Sequence, residues 1–286
     1  ILPIKKIMTK TTVYRIIGDQ KIKMAVMVKN ENDDVVKEDH FKEEELYKSI
    51  ETEYDNQGNA TKITENEDGF ETVSIYEFDE EGELLSSVTT TGNDEIEKVS
   101  TQVNNGEKIQ LFYRHGVYAE KIVENQTEDG EEVLHYNADG ELTKRIQEVA
   151  YKDQTHTSVF DETNVLQQLQ IEFFDEADEL IEKRIFDENK KLISLEKFVV
   201  ENELILSHSI QRKIEGGLLE LENKYTYDAQ ENETQHQISS PEGKLIAVEE
   251  KKYDAQNRLI EKRFENLSGN PSFGLSLLMV YEFDEI

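Results

Sequence analysis

The side chains able to do chemistry in this sequence are chiefly carboxylates: 63 Asp and Glu stand against 32 Lys and Arg and 6 His. Paired carboxylates can serve acid–base catalysis, acidic turns can wrap calcium, and suitably spaced histidines can hold zinc. The required spacings do not occur. His40, His115, His135, His156, His208 and His236 are scattered, without a His-Glu-x-x-His or His-x-His arrangement, and read as exposed strand positions. There is no Gly-x-Ser-x-Gly elbow, phosphate-binding glycine loop or dinucleotide fingerprint. Asp79-Glu80-Glu81-Gly82-Glu83 and Asn66-Glu67-Asp68-Gly69 offer oxygen ligands, yet neither follows the Asp-x-Asp-x-Asp-Gly order of a calcium loop. With so many acids, carboxylate pairs are inevitable and identify no catalytic site. The expectation is a non-enzymatic protein without cofactor or metal.

The formal charge of −31 argues against a nucleic-acid or anionic-membrane partner, because both need cationic contacts. It suits solubility, protection of sheet edges, or a basic protein partner. The absence of cysteine excludes disulfides and thiolate metal sites and leaves the redox compartment open. No run approaches the ~18 apolar residues of a membrane helix. The sequence opens Ile1-Leu2-Pro3-Ile4 and carries Met8, so a processed end and a start at Met8 are both compatible with it. A cytoplasmic protein is the preferred reading, with the cell envelope or secretion as the alternative if a signal peptide preceded Ile1.

The elements that would carry any site are set by a repeat. Tyr253-Asp254-Ala255-Gln256-Asn257-Arg258-Leu259-Ile260-Glu261-Lys262-Arg263 is matched by Phe174-Asp175-Glu176-Ala177-Asp178-Glu179-Leu180-Ile181-Glu182-Lys183-Arg184. Further copies start at Tyr54, Phe78, Tyr136 and Phe160, and looser ones at Phe186 and Tyr227. An aromatic strand residue is followed by Asp, whose side chain can accept backbone N–H bonds. The fifth position is Gly58, Gly82, Gly140, Asn164, Asp178 or Asn257, types that reach positive φ at least cost. The unit therefore predicts a hairpin loop that brings the aromatic opposite the following leucine: Leu84, Leu142, Leu166, Leu180 or Leu259. Lys190 and Glu231 break the fifth-position rule, which predicts a different loop or strain there.

A second kind of loop alternates with the first, at Gly92-Asn93-Asp94, Asn104-Asn105-Gly106, Glu128-Asp129-Gly130, Glu215-Gly216-Gly217 and Pro241-Glu242-Gly243. Repeat starts 24 residues apart, as at 54 and 78, hold two strands and two loops; the closer starts at 160, 174 and 186 imply one strand each. Residues 35–54 have spacings compatible with a helix but no cap or glycine stop, which favours strands. Only 36% of the chain is hydrophobic and 33% is charged, too lean for a thick core. The predicted fold is all-β, an elongated or spiral antiparallel meander. Residues 1–53 would cap an array at 54–286 that is continuous with them.

These residues resemble the YD-repeat, or RHS-like, family, best at Phe78 to Leu84, Tyr136 to Leu142, Phe174 to Leu180 and Tyr253 to Leu259. The resemblance implies a hairpin-repeat sheet of the kind that forms hollow shells in large members and cell-surface modules in others. This chain is too short to enclose a polypeptide and lacks the Asp-Pro-x-Gly type of cleavage motif. The expectation for function is a protein-binding scaffold with an extended acidic sheet. An acidic inhibitor or charge mimic aimed at a basic protein, and a carbohydrate-binding surface, are the alternatives. The apolar run near the end, with Leu275, Leu277, Met279 and Tyr281, is the candidate edge for a partner's strand.

Overall fold

The computed structural model describes residues 8–104 and 107–285; the Asn105-Gly106 turn lies outside them. The first ten strands are β1 (Thr9–Ile17), β2 (Gln20–Lys29), β3 (Val35–Lys42), β4 (Glu45–Tyr54), β5 (Ala60–Glu67), β6 (Phe70–Phe78), β7 (Leu84–Thr91), β8 (Asp94–Asn104), β9 (Glu107–Arg114) and β10 (Val117–Gln126). They are followed by β11 (Gly130–Asn137), β12 (Leu142–Ala150), β13 (Gln154–Asp161), β14 (Leu166–Phe174), β15 (Leu180–Asp187) and β16 (Leu192–Glu201). The last are β17 (Leu204–Ile214), β18 (Gly217–Tyr227), β19 (Glu233–Ser239), β20 (Leu245–Tyr253), β21 (Leu259–Asn266) and β22 (Leu277–Glu285), with a single 3-10 turn at Pro271–Phe273. All belong to one 22-stranded sheet. The helix-compatible stretch at 35–54 is two strands, and 160–187 holds one strand per repeat, as the spacing predicts.

The chain divides into two compact units. In the first, formed by residues up to 103, 109–121 and 277 onward, β1 to β8 pair antiparallel in chain order and β1 also pairs with β22. In the second, formed by 104–108 and 122–276, β11 to β21 are an uninterrupted antiparallel meander. Residue 53, the expected limit of a capping segment, lies inside β4 of the first unit. The β1–β22 ladder runs from Thr9 opposite Glu285 to Ile16 opposite Leu278. An open spiral would leave its first and last strands as edges; here they are each other's neighbours.

The repeat folds as its residues dictate. At 55–59 the Asp55 N–H donates to the Asn59 carbonyl (3.0 Å) and the Gly58 N–H to the Asp55 carbonyl (3.3 Å). The Asp55 carboxylate accepts from the backbone N–H of Gln57 (2.8 Å) and Asn59 (2.9 Å). The same bonds recur at Asp79, Asn137, Asp161, Asp175, Asp187, Asp228 and Asp254. Lys190 (φ 60) and Glu231 (φ 65) occupy the left-handed position of this very loop, so the exceptional residues bend to the repeat and carry strain. Two further loops share its backbone bonds. The polar stretch Asn30 to Asp34 has the full set, including both bonds to the Asn30 side chain. Pro241-Glu242-Gly243, expected to be of the second kind, closes with Ser240 N–H on the Lys244 carbonyl and Gly243 N–H on the Ser240 carbonyl. Proline suits the residue after the loop's first, where φ is near its fixed value.

Beyond each loop the aromatic faces its leucine, as Phe78 does Leu84, Tyr136 does Leu142, Phe160 does Leu166, Phe174 does Leu180 and Tyr253 does Leu259. Tyr54 faces Ala60 and Tyr227 faces Glu233 instead. The register then slips by one, leaving a bulged residue after the leucine, alanine or glutamate. Where that residue is threonine its hydroxyl donates across the pair: Thr61 to the Glu53 carbonyl (3.2 Å), Thr143 to His135 (3.1 Å) and Thr234 to Thr226 (3.0 Å). Gly130 makes a tighter demand, since a Cβ there would lie 2.0 Å from the Glu148 carbonyl oxygen.

Few side chains among the described residues are buried. The protein exposes 18733 Å², where a compact monomer of 33.2 kDa would expose about 12,600 Å². Among the described residues no large side chain is fully buried. What is buried is small and roofed by its cross-strand neighbours: Thr11 between Met27 and Phe283, Ser194 between Ile185 and Arg212, Ala247 between Ile238 and Asn266.

Lys190→Gly will raise the urea midpoint, stabilising by about 0.5–1 kcal/mol through relief of positive φ. Gly130→Ala will cost at least about 2 kcal/mol in the same measurement, because the backbone must move. Asp161→Asn will keep the loop, since Asn137 already does this job. Bonds from the Val165 backbone and Thr163 hold the Asp161 carboxyl below its ordinary value. Its stabilisation is therefore present above the ordinary carboxylate range and lost as pH falls through the lowered pKa. Unfolding of the Asn variant will accordingly be less acid-dependent below about pH 4.

Candidate functional site

In the second unit, β16 to β21 shelter one face more than the other. On the open face Lys197, Lys224, Glu250, Lys252, Arg263 and Glu265 are exposed, while Phe198, Asn223, Tyr225, Glu249 and Phe264 on the opposite face are half-buried or buried. The registers explain which residues meet there. Phe198 lies opposite His208, His208 opposite Asn223 and Asn223 opposite Ile238. One step along, Tyr225 lies opposite His236, His236 opposite Glu249 and Glu249 opposite Phe264.

These residues are linked in series, in part through the His208 main chain. Glu196 accepts from Arg212 (3.0 Å) and lies 3.1 Å from His208 Nε2. The His208 ring stacks on Phe198 at 4.3 Å. Asn223, only 6% exposed, donates to the His208 carbonyl (3.0 Å) and accepts from His236 Nε2 (2.9 Å). His236 stacks on Tyr225 at 4.5 Å. Beside it, Lys251 bridges Glu233 (2.9 Å) and Glu249 (3.2 Å), and Glu249 also pairs with Lys262 (2.8 Å). Burial holds the His236 imidazole below its ordinary value against the pull of Glu233 and Glu249. Burial acts to raise Glu249, but the bonds from Lys262 and Lys251 outweigh it and hold the carboxyl low.

His40, His135, His156, His208 and His236 are half-buried rather than the exposed strand positions expected of them, and His115 sits in a turn at φ 50. The polar chain was not visible in sequence, because its members lie on different hairpins and meet only through cross-strand register. Among the described residues no group of three or more His, Asp or Glu is arranged to hold a metal ion.

The tyrosines of the repeat have a task the phenylalanines lack. Tyr54 donates its hydroxyl to the Val35 carbonyl (3.0 Å), Tyr227 to Ile205 (2.9 Å) and Tyr253 to Glu233 (3.1 Å). Each bond reaches the start of a neighbouring hairpin's second strand, tying successive loops together. At the candidate partner edge, Leu277, Met279 and Tyr281 lie in β22 and Leu275 in the loop before it. Met279 faces Arg15 and Tyr281 faces Val13, so that side of the strand already has an intramolecular partner.

Charge marks both faces of the sheet. Adjacent strand residues point to opposite faces, and Glu182-Lys183-Arg184 in β15, Glu249-Glu250-Lys251-Lys252 in β20 and Glu261-Lys262-Arg263 in β21 are consecutive. A lipid-facing strand needs one apolar face, and a Lys or Arg at mid-bilayer costs about 2–4 kcal/mol.

No protein-family model matches the chain, and no curated protein does. Among solved structures, a porin-like protein from Bacteroides uniformis ATCC 8492 is similar at 10% identity and a TM-score of 0.31, over 99% of this chain and 97% of that one. A likeness so distant carries neither fold nor function across.

Tyr253→Phe and Tyr227→Phe will each lower stability by about 1 kcal/mol while leaving circular dichroism unchanged, since each removes one hydroxyl bond between hairpins. Urea unfolding of the two variants checks this.

Proposed function

We propose that this chain is a non-catalytic binding or scaffold protein that works in water and presents an acidic YD-like sheet to a protein partner. The observation that carries the reading is the sheet itself: it is half-exposed and charged on both faces, with far more surface than a compact chain of its mass. Repeated hairpins give extended surfaces suited to protein contact. Pairing of β1 with β22 occupies one edge of each of these strands and directs a partner toward a sheet face or the loops. A second reading, neutralisation of a basic protein, draws on the charge of −31.

The test is capture from the native source, followed by reconstitution of any retained protein with the purified chain and calorimetry at low and high salt. A stoichiometric complex that survives high salt supports the scaffold. A complex with a basic protein that dissolves as salt rises supports the neutraliser. Failure to reconstitute any protein complex, with a defined glycan bound instead, overturns both.

A further inference from the structure

We propose that, in the first unit, the rim of turns carrying Leu46 and Phe70 seats the protein partner, through a basic amphipathic segment whose apolar side chains lie on these two residues and whose Lys or Arg side chains meet Glu43, Glu44 and Asp68. The proposal rests on the protein-binding reading and says where, and by what chemistry, that binding occurs.

Its first ground is where apolar surface is left bare. Strand direction alternates in the first unit, so the turns at 18–19, 43–44, 68–69 and 115–116 lie at one end, the last of them tied to β8 by the His115 N–H on the Ile96 carbonyl (3.1 Å). Beside each turn stands an exposed apolar residue: Ile17 at 49%, Leu46 at 56%, Phe70 at 74% and Val117 at 68% exposure. At the opposite end Tyr54 and Phe78 are half-buried, opposite Ala60 and Leu84. A lone exposed apolar side chain is ordinary, whereas several gathered at one end, an aromatic among them, mark an interaction surface. Leu46 and Phe70 are its centre. Lys48 lies opposite Glu67 and Glu67 opposite Phe70, which puts Leu46 and Phe70 on one face of the sheet. The Asp68 N–H donates to the Tyr47 carbonyl (2.8 Å) and holds the second tip against the strand that carries Leu46.

The second ground is charge. Glu43 and Glu44 form the turn that leads into Leu46, at φ 53 and φ 69, and Asp68 begins the turn before Phe70 at φ 52. Asn and Gly take such positions at less cost, yet carboxylates occupy them here. Among the described residues none of these three acids has an ion-pair partner, while Lys48 on the same face is already engaged by Glu65 (2.7 Å) and Glu67 (3.4 Å). Unpaired carboxylates beside an apolar pair complement a segment that is apolar on one side and basic around it. The same acids repel a second copy of this rim and an anionic bilayer alike.

The probe is a synthetic helical peptide of about four turns, leucine on one face and lysine on the other, with glutamate replacing lysine in the control peptide. Calorimetry on the full chain at low and high salt will show the leucine–lysine peptide bound and the control unbound. Leu46→Ala and Phe70→Ala will each weaken binding about tenfold at either salt. The pair Glu43→Gln and Glu44→Gln will weaken it about tenfold at low salt and hardly at all at high salt. Leu218→Ala, at a residue of the second unit that is 60% exposed, will leave it unchanged. Because Leu46 and Phe70 are exposed, alanine spares the fold, and circular dichroism checks that it does. No binding of the leucine–lysine peptide, or binding that Leu46→Ala and Phe70→Ala leave intact or that Leu218→Ala weakens as much, overturns the proposal. The doubly substituted Leu46→Ala, Phe70→Ala chain then enters the capture experiment beside wild type. A partner retained equally by both overturns the rim and leaves the protein-binding reading standing, whereas the absence of any partner overturns that reading and the rim with it.

Discussion

Everything in the described strands depends on making a sheet hold with very few buried side chains. A strand normally buries one face against another layer, and that burial supplies most of its stability. Here the strands are half-exposed on both faces, and buried positions are small residues shaded by longer neighbours on adjacent strands. Stability has to come from within the sheet plane: ladders, cross-strand pairs, and loops that leave no backbone donor unsatisfied. The repeat answers that demand. Its Asp or Asn satisfies two loop N–H groups, the left-handed residue turns the chain, and the aromatic–leucine pair closes the hairpin's mouth.

The same constraint explains the composition. A strand with one buried face can hide apolar residues there, whereas these strands are half-exposed on both faces, so charge is distributed over both. The ion pairs Lys48–Glu65 and Lys183–Glu172 sit half-buried across strands and shade their neighbours with their methylene stems. Such pairs contribute little individually when solvent reaches them. Their weight here is geometric, since they fix which residues lie side by side.

Hairpin positions were legible in the residues because the loop is a local device. Aromatic-Asp-x-x-Gly-x-Leu fixes its own bonds within seven residues, and Lys190 and Glu231 show the motif persisting even where its favoured residue is missing. Pro241 misled because it hid a serine-led version of that loop. The bulge threonines and the interhairpin tyrosine bonds were legible only once register was known. The His208–Asn223–His236 chain and the β1–β22 ladder lay further out of reach. Both depend on which distant strands become neighbours, and no local pattern encodes that.

The β1–β22 ladder has a kinetic meaning. Every other described ladder joins strands adjacent in sequence, so those hairpins can zip in any order with small loop-closure cost. Thr9 and Glu285 come from opposite ends of the chain, and their strands can find each other only after the intervening hairpins have shortened the path between them. That seam is the natural last event of folding and the natural first of unfolding, a slow join in a chain whose other steps are fast.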